Sequence, residues 1–524
     1  MGFRKTTNHR IIATFYRHAG EPIELLGGHG DGALAPGVGG PASIVSASTS
    51  KTMGGGMAGT FTITLKRGSL NIMEEIRAGD WVILHFTRNG KPLHGTLGMI
   101  LDVREQRTPS SESITITGAD FGRVIDRTEV WFDDFTGFEN NAGGKLIGGR
   151  MGFNPIGSPD QIVQRIIDAM LGSDTIVGGT WTWPQGLNYL GKFFTAGLKV
   201  SIGNRQPVPL GVVPVGNIGG DPLLRGEGGN EFSLFRPNPG TTLTQQLQSW
   251  VNPMLNELFF DVADDQVFIS STAAGLGIGS LDSTPDKPYP TLFMREKPFI
   301  NLTDGLGSPW FKLPTVKLHG DDITTSDLGF SDEERRNLIM IYAGSWAGSN
   351  LDQYVAYPPG YSRESMARYG LRKHEQQTTF ATLGGRQGGA PWLTEVSKWA
   401  KLLIDWYALN HEFLNGSIST PYLLGEARIG KRLLVEGEHR RQFYIEGVTH
   451  TVNFPRGAST RLSVTRGFEG EDGEFLDRLD DAVGDYRRRS SLGGEGLQEA
   501  PTSGIFVAST NAALVEAMPE GDVD

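Results

Sequence analysis

The chain contains no cysteine. That absence excludes thiol nucleophiles, iron–sulfur clusters, cysteine-ligated zinc and a secreted disulfide scaffold. Long apolar runs are missing as well: no stretch reaches the ~18 residues of a membrane-spanning helix. The polar start, residues 1–10, lacks the apolar segment of a signal peptide. The expectation is a soluble chain with no membrane anchoring and no export signal. Positive charge is in deficit, 48 Lys and Arg against 59 Asp and Glu, for a net charge of −11. A duplex nucleic-acid reader would instead show a basic face. Glycine is abundant, 72 of 524 residues, about twice the usual share, and it lies in clusters with no collagen-like period.

Those clusters divide the chain. Residues 1–58 read as a Gly-rich N-terminal extension, with Gly27–Gly40 and Gly54–Gly56 too permissive to hold regular structure alone. Over 59–131 the texture becomes that of a first small antiparallel β-barrel. Thr60–Lys66 alternates Phe61, Ile63 and Leu65 with threonines, the period of a half-buried strand. Asp80–Phe86 is a short continuous apolar run, as in a strand covered on both faces. Asn89-Gly90 is the dipeptide of a tight hairpin turn, and Gly98–Arg104 and Ser113–Thr117 follow at hairpin spacing.

Residues 132–311 read as a mixed α+β insertion. Its helices are expected at Asp160–Leu171, N-capped by Ser158 or Asp160, and from Thr241 until Pro253 ends or kinks the second. A second β-barrel spans 312–467, interrupted by a helical excursion at about 345–415. Leu393–Phe413 carries Val396, Ala400, Leu403, Trp406 and Tyr407 at helical spacing. Strands resume at Gly416–Leu424, Arg428–Val435, Arg441–Val452 and Thr460–Thr465. An acidic C-terminal extension, 468–524, is too polar to fold alone. The expected class is mainly β with α+β insertions.

Motifs that carry chemistry do not survive inspection. Gly186–Lys192 and Gly425–Lys431 resemble phosphate loops but lack the following Ser or Thr that binds magnesium, and both read as turns. Gly28–Gly32 has no strand before it and no helix after it. His374-Glu375 and His411-Glu412 open like a zinc-protease helix, without the second His four residues on. Asp133-Asp134, Asp264-Asp265 and Asp321-Asp322 lack the Gly-turned loop of a calcium site. No catalytic, cofactor-binding or metal-binding residue is assigned, and no enzymatic activity is expected. Arg363–Lys373, with Tyr369 between arginines, reads as a packed connector whose arginines pair with acidic neighbours. In Arg441–Val452, strict alternation sends Phe443 and Ile445 one way and Tyr444 and Val448 the other. The second face then needs a cover, from a neighbouring chain or from Leu393–Phe413.

The closing segment, Gly425–Gly467, resembles the C-terminal barrel of baseplate hub proteins from contractile phage tails. The matching positions are Ile429-Gly430 with Leu433-Leu434, then Tyr444-Ile445-Glu446-Gly447-Val448-Thr449-His450, then Thr460-Arg461-Leu462 with Val464-Thr465-Arg466-Gly467. Arg368-Tyr369-Gly370-Leu371-Arg372 is similar to that family's connector. Tyr289-Pro290-Thr291-Leu292 with Arg295 and Pro298-Phe299 is similar to one of its strands. Arg77-Ala78-Gly79-Asp80-Trp81-Val82 and Gly118-Ala119-Asp120-Phe121-Gly122 are similar to its first barrel.

The resemblance covers about 59–131 and 285–467. It implies a homotrimeric ring of pseudo-sixfold symmetry that joins the hexameric tail tube, or a tube-initiator protein, to the trimeric central spike. The tape measure protein and DNA in transit would pass through it, beside other baseplate proteins, in a virion tail assembled in the host cytoplasm. Part of the −11 charge is expected to line the bore and repel phosphate. The alternative is a hub that also degrades peptidoglycan through its insertion domain, with Trp181–Phe194 binding sugar. A secreted β-rich adhesin is disfavoured by the missing signal peptide.

Overall fold

In a computed structural model the described residues are 9–28 and 43–127 with a few interruptions, short pieces between 139 and 310, then 313–343, 360–378 and 407–470 with a few interruptions. The first β unit contains β1 (His9–Tyr16), β2 (Ile23–Gly28), β3 (Ser43–Thr52), β4 (Thr60–Lys66), β5 (Trp81–Arg88), β6 (Lys91–Thr108) and β7 (Ser111–Asp120). Helix α1 (Ile72–Glu75) precedes β5, and α2 (Gly122–Arg127) follows β7. Two short strands come next, β8 (Glu139–Asn141) and β9 (Lys145–Ile147), then β10 (Ser201–Ile202), β11 (Asn256–Ala263) and β12 (Tyr289–Glu296). The second unit contains β13 (Thr315–His319), β14 (Thr325–Phe330), β18 (Leu414–Thr420), β19 (Arg432–Glu436), β20 (Arg441–Asn453) and β21 (Gly457–Glu469). Within it a small sheet holds β15 (Leu338–Ala343), β16 (Gly360–Tyr361) and β17 (Lys373–Thr378), with α3 (Arg363–Tyr369) alongside.

The mainly β class expected from the sequence is the class observed. Both units belong to one 13-stranded sheet, and among the described residues neither closes into a hydrogen-bonded barrel. Within the first unit the order is β3-β4-β7-β6-β5-β1-β2. There β2 returns beside β3 without pairing to it: a Cβ on Gly27 would stand 2.6 Å from the Ile44 carbonyl oxygen. Within the second unit the order is β14-β18-β21-β20-β19-β13. The units therefore share one six-strand order, β3-β4-β7-β6-β5-β1 matching β14-β18-β21-β20-β19-β13. They differ at the last pair, antiparallel for β1 with β5 and parallel for β13 with β19.

Each unit has its own core. Phe15, Leu25, Phe61, Ile63, Leu84, Phe86 and Ile116 fill the first, while Val316, Ile418, Leu433, Phe443, Ile445, Leu462 and Val464 fill the second. Burying each such side chain contributes about 1.5–3 kcal/mol. Glycines allow the closest approaches: a Cβ on Gly118 would lie 2.2 Å from the Phe61 ring, and one on Gly467 would lie 2.3 Å from the Phe443 ring.

Two sequence expectations are corrected. Strands β1, β2 and β3 lie inside the stretch read as a Gly-rich extension, so much of it is sheet. The glycines sit between these strands and mask their pattern. The face assignment of Arg441–Val452 also changes. The β20–β21 register skips between Ile445 and Gly447, and a bulge at Glu446 resets the alternation. Val448 therefore joins Phe443 and Ile445 in the second core.

Tyr444 alone takes the other face, packed on Trp310 at 6.3 Å between ring centroids. The cover comes from this chain itself. The helices expected at Asp160–Leu171 and over most of Leu393–Phe413 lie outside the described residues, as do Gly186–Lys192, Trp181–Phe194, Asp133-Asp134, Asp264-Asp265 and the acidic extension beyond Gly470. No helix among the described residues is long and apolar enough to cross a membrane.

Candidate assembly surface

The two units meet where β20 pairs with β3. β20 is 13 residues long and serves both. Its first part, Arg441–Tyr444, pairs with β19. Its second part, Gly447–Asn453, runs antiparallel to Ser46–Thr52. β3 is rich in Ser and Thr, yet it is a central strand with β4 on its other edge. Its polar side chains find partners across the pairing: Ser50 Oγ and Thr449 Oγ1 lie 2.9 Å apart. Ala47, Thr49, His450 and Val452 are buried there.

A wedge from the middle of the chain seals this seam. Alternation along β11 sends Glu257, Phe259 and Asp261 toward the second unit and Phe260 toward the first. The Tyr444 hydroxyl donates to Glu257 at 2.6 Å. Asp261 lies 3.7 Å from Arg428, and Phe259 joins the second core. Phe260 stacks on Phe121 at 5.4 Å, and Lys51 Nζ sits 5.2 Å over its ring. The same Lys51 pairs with Asp120 at 2.5 Å.

These groups border a small, partly open pocket lined by Lys51, Asp120, Asp261, Arg428 and His450. Burial pushes the Asp120 carboxyl up, opposed by Lys51. The His450 imidazole is held down to about 3, first by burial and then by the Arg428 charge, so it stays neutral. Its Nδ1 meets Thr460 Oγ1 at 2.9 Å, and that Thr460 oxygen also accepts the Leu424 amide at 2.9 Å. Glu446, the bulged residue, has its carboxyl raised by burial. A buried ion pair breaks at a cost of ~3–5 kcal/mol when one partner is removed; Lys51–Asp120 holds the first unit's side of the seam, and Arg428–Asp261 ties β11 to the second.

The residues behind the sequence resemblance converge here: Asp120 from the first unit, and Tyr444, Glu446, His450 and Thr460 from the second. Others in those motifs shape turns. Asp80 accepts the Arg77 amide at 2.7 Å, and Gly79 between them has φ +96°. Gly122 donates its amide to Asp120 at 3.0 Å, and a Cβ there would lie 2.0 Å from the Met57 carbonyl oxygen.

The connector motif sits elsewhere. Ser362 caps α3 by accepting the Ser365 amide, and Gly370 ends the helix with φ +79°. Arg372 pairs with Asp332 at 2.6 Å, and Arg335 lies 3.4 Å over Tyr369, which agrees with a packed connector. His374 and Glu375 are on strand β17, and His411 and Glu412 are in a 3-10 turn. Asp321 and Asp322 form a 3-10 turn, with Asp322 accepting from Tyr422 at 2.9 Å. Gly425–Lys431 forms turns whose Ala427 and Ile429 plug the second core.

Sequence reading missed Lys51, Glu257 and Asp261. The Glu-x-Phe-x-Asp alternation of β11 was the available signal.

Two further edges complete the surface. Among the described residues β14 pairs only with β18, and its side chains are exposed apart from half-buried Leu328, with Phe330 67% exposed. β6 pairs with β5 only up to Met99; beyond Ile100, among the described residues, no strand pairs with that edge.

No protein-family model matches the chain, and no curated protein matches it in sequence. Solved structures similar to it include a tail protein from Neisseria meningitidis MC58, with 11% identity over 87% of this chain and 96% of that one and a TM-score of 0.45. A 43 kDa tail protein of prophage MuSo2 from Shewanella oneidensis shows 12% identity over 87% and 98%, with a TM-score of 0.44. An E. coli type VI secretion component described as similar to the T4 tail proteins gp27 and gp5 shows 10% identity over 83% and 76%, with a TM-score of 0.37. These structures are described as tail proteins and a type VI secretion component.

Proposed function

We propose that this chain is the structural baseplate hub of a contractile phage tail. Three copies form a ring that joins the sixfold tail tube to the threefold central spike, and the ring leaves a channel for the tape measure protein and for DNA in transit. One observation carries this reading: a single chain holds two units of the same strand order, fused edge to edge through β20 and β3. A closed ring of such chains shows twice as many equivalent units as chains, so three copies match a sixfold tube on one side and a threefold spike on the other. The hub resemblance of Gly425–Gly467 supports the same role.

The work is mechanical, and no catalytic residue is assigned. The sealed seam supplies what a mechanical joint needs, two units tied by a continuous strand pairing with β11 wedged against both. The ring belongs to the virion tail, assembled in the host cytoplasm, and its bore is acidic so that DNA does not adhere. A bore found neutral or basic would remove that last feature. The peptidoglycan-degrading alternative rests on Trp181–Phe194, which lies outside the described residues, and no observation favours it.

Native mass of the purified chain, with negative-stain imaging, tests the reading. A ring of about 171 kDa, three times the 56.9 kDa chain mass, with a central hole is expected. A chain that stays at the monomer mass both alone and with the spike co-expressed would overturn it.

A further inference from the structure

The internal duplication names the strands through which copies meet. The equivalence is read from pairing. The β6–β7 register skips one residue, Leu101, between Ile100 and Asp102. The β20–β21 register skips one, Glu446, between Ile445 and Gly447. Aligning these bulges matches Asp102–Thr108 with Gly447–Asn453. It also matches Gly118 with Val464, which pair with Phe61 and Gly416 respectively. Ile63 then matches Ile418, and both are core residues. Ile63 pairs with Ala47 and Ile418 pairs with Ser326, so Ser46–Lys51 in β3 matches Thr325–Phe330 in β14.

The consequence is direct. In the chain, Gly447–Asn453 pairs with β3. The equivalent of the first partner is the outer half of β6, and the equivalent of the second is β14. Among the described residues both are open edges, and they lie in different units, so in a ring that repeats the internal joint they meet between copies. We infer that β14 of one copy pairs antiparallel with Asp102–Thr108 of the next. The register carried over from the seam puts Val103 opposite Phe330, Arg104 opposite Gly329 and Arg107 opposite Ser326. This deepens the hub reading and rests on it.

The chemistry of the edges agrees. Natural edge strands are normally guarded by Lys, Pro, bulges or brevity. β14 carries no Lys and no Pro, and it presents Phe330 to solvent, a template for another strand. Its one charge is Asp327; the facing half of β6 alternates signs, with Arg104 paired to Asp102 and Arg107 to Glu112 at 2.8 Å and both arginines mostly exposed, so in this register Asp327 lies diagonal to Arg104. At the matched internal positions, the Ser50 and Thr449 side-chain oxygens lie 2.9 Å apart. Side chains at Gly329 and Arg104 of neighbouring copies would therefore touch. Gly329 has open space around a Cβ, so a cysteine fits there.

Because the chain has no native cysteine, disulfide trapping reads this contact cleanly. The double variant Arg104→Cys/Gly329→Cys, mildly oxidised, should run on non-reducing gels as a ladder ending at the trimer. Ser50→Cys/Thr449→Cys should form its bond within one chain and stay monomeric on the gel. Arg104→Cys/Thr325→Cys, four residues out of register, should give no ladder. Phe330→Asp should keep the circular dichroism of the parent and lose the ring mass. A ring of correct native mass that gives no 104–329 disulfide and tolerates Phe330→Asp overturns the strand assignment and leaves the hub reading standing. A chain that, both alone and with the spike co-expressed, shows neither a ring mass nor an interchain disulfide at either register overturns both.

Discussion

Two pairs of strands in this molecule occupy equivalent places and live in opposite environments. β3 and the outer half of β20 are sealed against each other, with Ala47, Thr49, His450 and Val452 buried. β14 and the outer half of β6 have the same neighbours in the same order, and they stand exposed. The backbone plan does not distinguish them; what differs is that one pair is joined within the chain and the other, on the pairing proposed above, waits for a second copy. Composition follows the environment. The sealed pair places Ala47 across from Val452, whereas the open pair would place Ser326 across from Arg107. An edge that waits in water for its partner must remain soluble, so its joint is more polar than the permanent one.

The largest expected effect inverts that difference. Val452→Arg puts an unpaired guanidinium into the seam and the first core and should cost more than ~4 kcal/mol, so the variant should lose its cooperative unfolding transition or fail to fold. Arg107→Val, its counterpart on the open edge, should stay within ~0.5 kcal/mol of the parent in chemical denaturation. If the two variants lose similar stability, the claimed equivalence of place with inequality of burial is wrong.

Next in size is the charge pair in the seam. Lys51→Met strands the Asp120 carboxylate and should cost ~3–5 kcal/mol, while Lys51→Met/Asp120→Leu should recover most of that loss. A double-mutant cycle by urea unfolding reads the coupling. Equal losses in the single and double variants would show that Lys51 acts through packing on Phe260 and not through its charge.

The third effect is a pH dependence confined to the sealed joint. An unfolded His450 takes up a proton near 6.5, and the folded one does so only at about 3. Its contribution to stability is therefore complete above about pH 6.5 and falls, by up to a few kcal/mol, as pH drops toward 3. Asp120 and Glu446, both raised by burial, act in the opposite sense, because each is relieved when it protonates in acid. Comparison with His450→Gln isolates the histidine share: the parent should lose stability faster than the variant between pH 6.5 and 4. Parallel curves would assign acid sensitivity to other groups. The smallest effect is at Gly118, where Gly118→Ala presses a methyl onto Phe61 and should cost ~1–3 kcal/mol.

The parts of this fold legible in sequence are those with short-range signals. Thr60–Lys66 is the strand its alternation predicts, and Asn89, at φ +51°, makes the turn that its dipeptide implies. The joint itself was not legible. β3 is mostly Ser and Thr between glycine clusters, and its partner lies almost 400 residues away, so no local period marks it as central. The bulge at Glu446 misled for a related reason: one unpaired residue reverses every later side chain, and the sequence carries no sign of it. Motif positions such as Asp120, Tyr444 and His450 were visible through resemblance, but only the fold shows that they share one seam with Lys51, Glu257 and Asp261.

Amide hydrogen exchange across a concentration series tests the central claim most directly, because it reads all four strands in one experiment. The account predicts that Ser46–Thr52 and Gly447–Asn453 are protected at every concentration, while the outward-facing amides of Thr325–Phe330 and Asp102–Thr108, those not bonded to β18 or β7, exchange fast in the monomer and become protected together as the ring forms. A ring whose Thr325–Phe330 and Asp102–Thr108 amides still exchange at the monomer rate would contradict it.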